Sequence, residues 1–193
     1  MKLKRNDLWS LEEYAAERES FRAMILKHKK VRQVALGPHA TLYFEDRLTM
    51  KYQVQEMLRV ERIFEREEIE EELAAYNPLI PDGRNWKATF MIEYGDEDER
   101  REALSKMGGI EETLWVQVGN GEKSYAITNE DMERTRDTKA AAVHFTRFEL
   151  SDTDLESIKN GHEIRFGLDH PSLATTVTLD VKERLSLVAD LDL

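Results

Sequence analysis

The loop from residue 77 to residue 83 separates two hydrophobic patterns, and it constrains the fold more than any other feature of the chain. It reads Asn-Pro-Leu-Ile-Pro-Asp-Gly, and two prolines so close together end a helix. Apolar residues before the loop recur at steps of three and four, as on a helix: Met50, Val54, Met57 and Leu58. Apolar residues after it alternate with polar ones, as on a half-buried strand: Ala88, Phe90, Ile92 and Tyr94. The sequence therefore predicts an α+β fold, in which a helical N-terminal half with a small β-hairpin packs on a mostly antiparallel sheet.

The chain is long enough for one sizeable core. It has 193 residues, of which 40% are hydrophobic. We expect a single composite domain over residues 1–193, with a helical and hairpin part over 1–80. The second part, over 85–193, is expected to be mainly antiparallel β-structure with short helices.

Local capping signals place the first two long helices. Ser10 and Glu13 have the spacing of a capping box, and Trp9 and Tyr14 have that of a hydrophobic staple, so a helix is predicted from Leu11 to about residue 30. A hairpin is expected next, with strands over 31–36 and 41–44. A core helix is predicted to begin near residue 47, capped by Asp46 or Thr49, and to bend near 64–66.

The second half predicts shorter elements. First come a helix from Asp96 to Gly108 and two strands, over 114–118 and 124–128, joined by a glycine turn. A polar loop over 129–139 leads to a strand over 143–150 and a helix from Ser151 to residue 160. Paired strands over 163–169 and 175–179 and a terminal helix over 180–191 complete the prediction.

Charge and cysteine content restrict the function classes. With 28 Lys and Arg against 39 Asp and Glu, the formal net charge is -11, which disfavours nucleic acid and anionic membranes as partners. No apolar run or signal-peptide pattern is present, so we expect a cytoplasmic protein with no membrane association. The absence of cysteine excludes disulfides and thiolate ligands. We expect no bound cofactor.

Histidine spacing does not favour a metal site. None of the five histidines has a glutamate three residues before it, as a ferritin-like di-iron centre requires. A site formed by His39, Glu45 and Glu56 is an alternative, but a lone histidine after a turn is more often structural. The basic run over 27–32 fits a helix C-terminus better than a phosphate site. We predict no metal.

A polar set around the core helix is the candidate ligand-binding site. Its members are Glu45, Arg47, Gln53, Glu56, Arg59 and Arg62, with His39 as a further candidate. Arginine binds carboxylates through two parallel hydrogen bonds, so this set either binds an anionic ligand or clamps helix to sheet. We expect Glu56 to be at least half buried and paired with Arg59 or Arg47, joining helix to hairpin.

Four stretches of the chain resemble the bacterial domain of unknown function family 3501. They read ALGPH over 35–39, FEDR over 44–47, QVQEMLRVERI over 53–63 and YNPLIP over 76–81. Asp46 departs from the asparagine expected in many relatives. Members of this family tend to lie beside rubrerythrin and an iron-sulfur protein related to heterodisulfide reductase, which implies an accessory role in oxidative stress or electron transfer.

Two functional hypotheses follow from the residues and the resemblance. The first is a non-catalytic cytoplasmic accessory protein for a rubrerythrin or iron-sulfur redox system. The second is an enzyme, or a binder of a small anionic ligand or metal, that uses the polar set. A homodimer is left open.

Overall fold

Two antiparallel helices form the N-terminal layer. In the computed structural model, which describes residues 2–128, 130 and 140–193, α1 spans Leu11–Lys29 and α2 spans Arg47–Glu61. Both predicted caps are confirmed. Ser10 and Glu13 form a reciprocal capping box, and Asp46 and Thr49 form another. The helices therefore begin where the local hydrogen bonding of these side chains places them.

The hairpin strands belong to a five-stranded antiparallel sheet, which we call the first sheet. Its order is β1-β2-β3-β7-β6, with β1 at Gln33–Ala35, β2 at Ala40–Glu45, β3 at Asn85–Ile92, β6 at Ile127–Thr128 and β7 at Val143–Glu149. The hairpin thus continues the sheet, because β2 pairs with β3 along its whole length. The first strand is shorter than predicted since the N-H of Arg32 still bonds the carbonyl of Lys29 in the last turn of α1.

A second antiparallel sheet has four strands in the order β5-β4-β8-β9. They are β4 at Leu114–Val118, β5 at Ser124–Tyr125, β8 at Ile164–His170 and β9 at Leu173–Thr178. The single strand predicted over 124–128 is wrong. The chain crosses from the second sheet to the first at Ala126, whose N-H bonds Leu114 while Ile127 already pairs with Arg147. Pairing with two sheets divides the strand.

The core lies between the inner faces of the two sheets. Phe44, Trp86 and Phe148 come from the first sheet and Phe166 from the second, and their rings contact one another at centroid distances of 5.0 to 6.2 Å. All four side chains are at most 2% exposed. Large buried aromatic rings dominate such a core, so this cluster fixes how the sheets pack.

The remaining helices of the described chain are shorter than α1 and α2. They are α3 at Arg66–Tyr76, α4 at Glu97–Leu104, α5 at Asp152–Lys159 and α6 at Val181–Val188. The bend after α2 is confirmed, because Arg62 adopts a left-handed conformation with φ 58°. The helices α4 and α6 end earlier than predicted, since turns at Ser105 and Ala189 replace their last residues.

The polar loop predicted over residues 129–139 lies outside the described residues, apart from Glu130. Within the described ranges, no helix is both long and apolar enough to cross a membrane.

Candidate functional site

Glu56 is the centre of a hydrogen-bonded network between α1 and α2. Its Oε1 accepts from the Tyr14 hydroxyl at 2.6 Å and from Arg18 Nε at 2.8 Å. Its Oε2 accepts from Arg18 Nη2 at 2.9 Å and from Arg59 Nη2 at 3.2 Å. The Glu56 side chain is 18% exposed, in agreement with the expected burial. These bonds, those from Arg18 above all, lower the pKa of Glu56 to about 2.

The closest cationic partner of Glu56 is Arg18, which the sequence did not single out. The predicted contact with Arg59 is present, but Arg47 instead pairs with Asp7 at 2.7 Å. The network joins α2 to α1, not to the hairpin. Arg18 lies one turn after Tyr14 on α1, so both reach the same carboxylate once the helices pack. That i,i+4 spacing of a tyrosine and an arginine was the only sequence signal for the pair.

The other members of the polar set have separate partners. Glu45 accepts from the hydroxyls of Thr49 at 2.7 Å and Thr89 at 3.0 Å. His39 stacks on Tyr94 with ring centroids 4.0 Å apart. Gln53 is half-buried on α2, and Arg62 is exposed at the end of that helix. The structure therefore brings together Glu56 and Arg59 and disperses the rest of the set.

Gln55, which the sequence did not single out, is fully buried beside this network. Its Oε1 accepts from the backbone N-H of Trp9 at 2.7 Å, and its Nε2 donates to the carbonyl of Trp9 at 3.4 Å. This amide holds the segment before α1 against α2. Gln55 and Glu56 thus attach the N-terminal segment and α1 to the core helix.

A second buried network surrounds Arg32 at the end of α1. Its guanidinium donates to the carbonyls of Phe44, Glu45 and Ser186, and to Asp190 Oδ2 at 2.5 Å. The side chain is 2% exposed, so these partners are needed to compensate the buried charge. The basic run over 27–32 lies at the C-terminal end of α1, as predicted. The sequence did not predict that Arg32 connects α6 to the first sheet.

Two carboxylates flank Arg32, and their pKa values are shifted in opposite directions. Burial raises the pKa of Asp190 to about 6, although Arg32 opposes the change. Asp46 is also buried, but Arg32, the Thr49 N-H and His28 hold its pKa below the usual value. The His28 Nε2 lies 2.6 Å from Asp46 Oδ2. An acid that titrates near neutrality thus lies beside one that stays ionised.

These groups line one side of an open cleft of about 600 Å³. Its polar lining includes His28, Asp46, Arg47, Asp82, Asp190 and Asp192. The donors of Arg32 all bond protein groups, so the network holds α6 against strand β2 of the first sheet. Among the residues that the structure describes, no three histidine or carboxylate side chains are arranged to hold a metal ion.

The corner between α2 and α3 is an exposed apolar surface. Phe64, which lies between the two helices, is 64% exposed. It borders a groove of about 340 Å³ that is also lined by Trp9, Leu11 and Ile69. We call Phe64 and this groove the corner surface. The sequence predicted the bend near residues 64–66, and the structure shows that Phe64 is exposed there.

Comparison with known proteins agrees with the resemblance seen in the sequence. The model of the family described as "Protein of unknown function (DUF3501)" matches residues 2–191. A crystal structure of a protein of unknown function from Burkholderia pseudomallei K96243 is 44% identical, with a TM-score of 0.93 over 100% of both chains. No curated protein matches the chain. The chain therefore belongs to the DUF3501 family.

Proposed function

We propose that the protein is a non-catalytic accessory protein of the cytoplasm that binds a redox partner, either rubrerythrin or an iron-sulfur protein. The observation that carries the proposal is the corner surface, where the exposed ring of Phe64 borders a mostly apolar groove. Contiguous exposed apolar surface is typical of interaction sites, and a buried aromatic anchor commonly supplies much of the binding energy. Phe64 is the anchor in this proposal.

The charges around the corner surface indicate the chemistry of its partner. Within four residues of Phe64 along the chain, four exposed glutamates at 61, 65, 67 and 68 outnumber two exposed arginines, Arg62 and Arg66. Burial, followed by the charges of Glu61 and Glu71, raises the pKa of Glu72. Negative charges that repel one another are relieved by a cationic partner. The surface therefore fits an apolar pocket surrounded by lysine or arginine.

The family resemblance supports the choice of partner. Members tend to lie beside rubrerythrin and an iron-sulfur protein related to heterodisulfide reductase. The alternative hypothesis, a ligand-binding or catalytic polar set, receives less support from the geometry. Glu56 and Glu45 bond neighbouring side chains, and Arg47 pairs with Asp7, so these groups do not converge on one ligand.

Direct binding to purified partners tests this proposal. Rubrerythrin and the iron-sulfur protein from the same host would be titrated separately by calorimetry under anaerobic, reducing conditions. We expect one of them to bind, and Phe64→Ser to weaken binding by about ten-fold or more. Leu185→Ser is the matched control because Leu185 is 65% exposed on α6, and it should bind like the parent chain.

Ionic strength provides a second readout of the same interaction. Attraction between the glutamates and a basic partner is screened by salt, so affinity should fall as salt is added. Absence of binding to both purified proteins would overturn the proposal. An equal loss in the Phe64→Ser and Leu185→Ser chains would overturn the assignment of the corner surface.

A further inference from the structure

The strand β9 is a long sheet edge without the usual protection. The edges of the two sheets are β1, β6, β5 and β9, and the first three have only three, two and two residues. By contrast, β9 has six residues with the sequence Leu-Ala-Thr-Thr-Val-Thr. It contains no proline and no charged residue, the two features that commonly prevent an edge from pairing with another chain.

The alternation of backbone hydrogen bonds along β9 shows which of its N-H and C=O groups face away from β8. The N-H of Leu179 donates to the carbonyl of Ile164, in register with the pairing of β8 and β9. Antiparallel alternation then directs the backbone groups of Leu173, Thr175 and Val177 toward β8. Those of Ala174, Thr176 and Thr178 point away from it. These three residues are exposed, and their backbone groups have no hydrogen bond within the described parts of the chain.

We propose that β9 pairs antiparallel with β9 of a second copy of the chain, about a twofold axis at Thr176. In this register Thr176 lies opposite its own copy, and Ala174 lies opposite Thr178 of the second copy. Each such pair exchanges two backbone hydrogen bonds through the outward groups. The second sheets of the two copies then join into one continuous sheet. This inference is independent of the proposed accessory function.

The side chains of β9 favour its own copy as the occupant. Antiparallel pairing about the axis places threonine opposite threonine and alanine opposite threonine, so no like charges face each other across the strands. The strand carries no charge that would select an acidic or basic strand from another protein. The net charge of -11 on each chain opposes association at long range. Salt screens that repulsion and should therefore strengthen the dimer.

Cysteine cross-linking tests the register directly, because the chain has no cysteine of its own. In the proposed dimer the Cα atoms at position 176 are about 5.5 Å apart, within the range of a disulfide. Thr176→Cys should therefore form a covalent dimer under mild oxidation. Thr178→Cys is the matched control, because the two copies of position 178 are about 14 Å apart in this register. We expect cross-linking at 176 to be about ten-fold faster or more.

A mixing experiment checks the same register in solution. Analytical ultracentrifugation should show a dimer whose dissociation constant rises roughly five-fold or more in Thr176→Lys and in Thr176→Glu, since like charges then face each other. A mixture of the two variant chains should restore the dimer. Circular dichroism melts at a concentration below the dissociation constant of the parent dimer, where all chains are monomeric, should be unchanged because Thr176 is exposed. A monomeric parent chain, or equal cross-linking rates at 176 and 178, would overturn the inference.

Discussion

Replacing Glu56 with glutamine removes the charge at the centre of the α1–α2 network and keeps its shape. The pKa of Glu56 is lowered from 4.5 to about 2, which corresponds to about 3 kcal/mol in favour of the ionised form in the folded chain. The Arg18 side chain is 35% exposed and solvent screens part of its attraction, so we expect a loss of about 2 kcal/mol at neutral pH. For a chain of this length that lowers the melting temperature by roughly 4 to 8 °C.

The pH dependence of this loss identifies its cause. Because the folded pKa of Glu56 lies below the unfolded one, the unfolded chain binds more protons between about pH 4.5 and pH 2. The contribution of Glu56 is therefore complete above about pH 4.5 and disappears as the pH falls toward 2. Urea unfolding of the parent chain and the Glu56→Gln chain at several pH values measures this difference.

Two controls accompany the Glu56 measurement. Glu19→Gln alters an exposed glutamate in the middle of α1 and should change the free energy of unfolding by less than about 0.5 kcal/mol. Glu56→Ala also removes the acceptor of the buried Tyr14 hydroxyl and should cost about 3 kcal/mol. A Glu56→Gln chain as stable as the parent chain at pH 7 would refute the conclusion that the charge of Glu56 stabilises the packing of α1 on α2.

Two further predictions concern Asp190 and Gly167. Burial raises the pKa of Asp190 to about 6, so the folded chain holds a proton that the unfolded chain releases between about pH 4 and pH 6. The stability of Asp190→Asn relative to the parent chain should therefore rise through that window, by about 1 kcal/mol between pH 4 and pH 7.5 in urea unfolding, and a relative stability that does not change with pH would refute the cost of burial. A Cβ at Gly167 would lie 2.2 Å from Trp115 Cζ2 and 2.5 Å from the Thr175 carbonyl oxygen. Gly167→Ala should cost about 2 to 3 kcal/mol in thermal unfolding, while Gly95→Ala, with no atom within 4 Å of the new Cβ, should not.

Features encoded by neighbouring residues were predictable from the sequence. The capping boxes at Ser10 and Asp46 depend on side chains three residues apart, so the starts of α1 and α2 follow from local chemistry. The alternation along β3 predicted its buried face for the same reason. Local rules of this kind place elements, but they do not specify which elements meet.

The networks were not predictable because their partners are distant in sequence. Arg18 and Glu56 are 38 residues apart, and Arg32 and Asp190 are 158 residues apart. Only the packing of α1 on α2, and of α6 on the first sheet, brings these charges into contact. The sheet crossing at Ala126 likewise depends on strands from separate parts of the chain.

We propose that Glu56 stabilises the fold while Phe64 binds the partner, and one paired measurement tests both roles. Melting temperature and affinity for the purified redox partner would be determined on the same preparations of Glu56→Gln and Phe64→Ser. We expect Glu56→Gln to lower the melting temperature and keep the affinity. We expect Phe64→Ser to keep the melting temperature and lose about ten-fold or more in affinity. The reverse result, lost affinity with an unchanged melting temperature in Glu56→Gln, would contradict it and identify the α1–α2 network as the functional site.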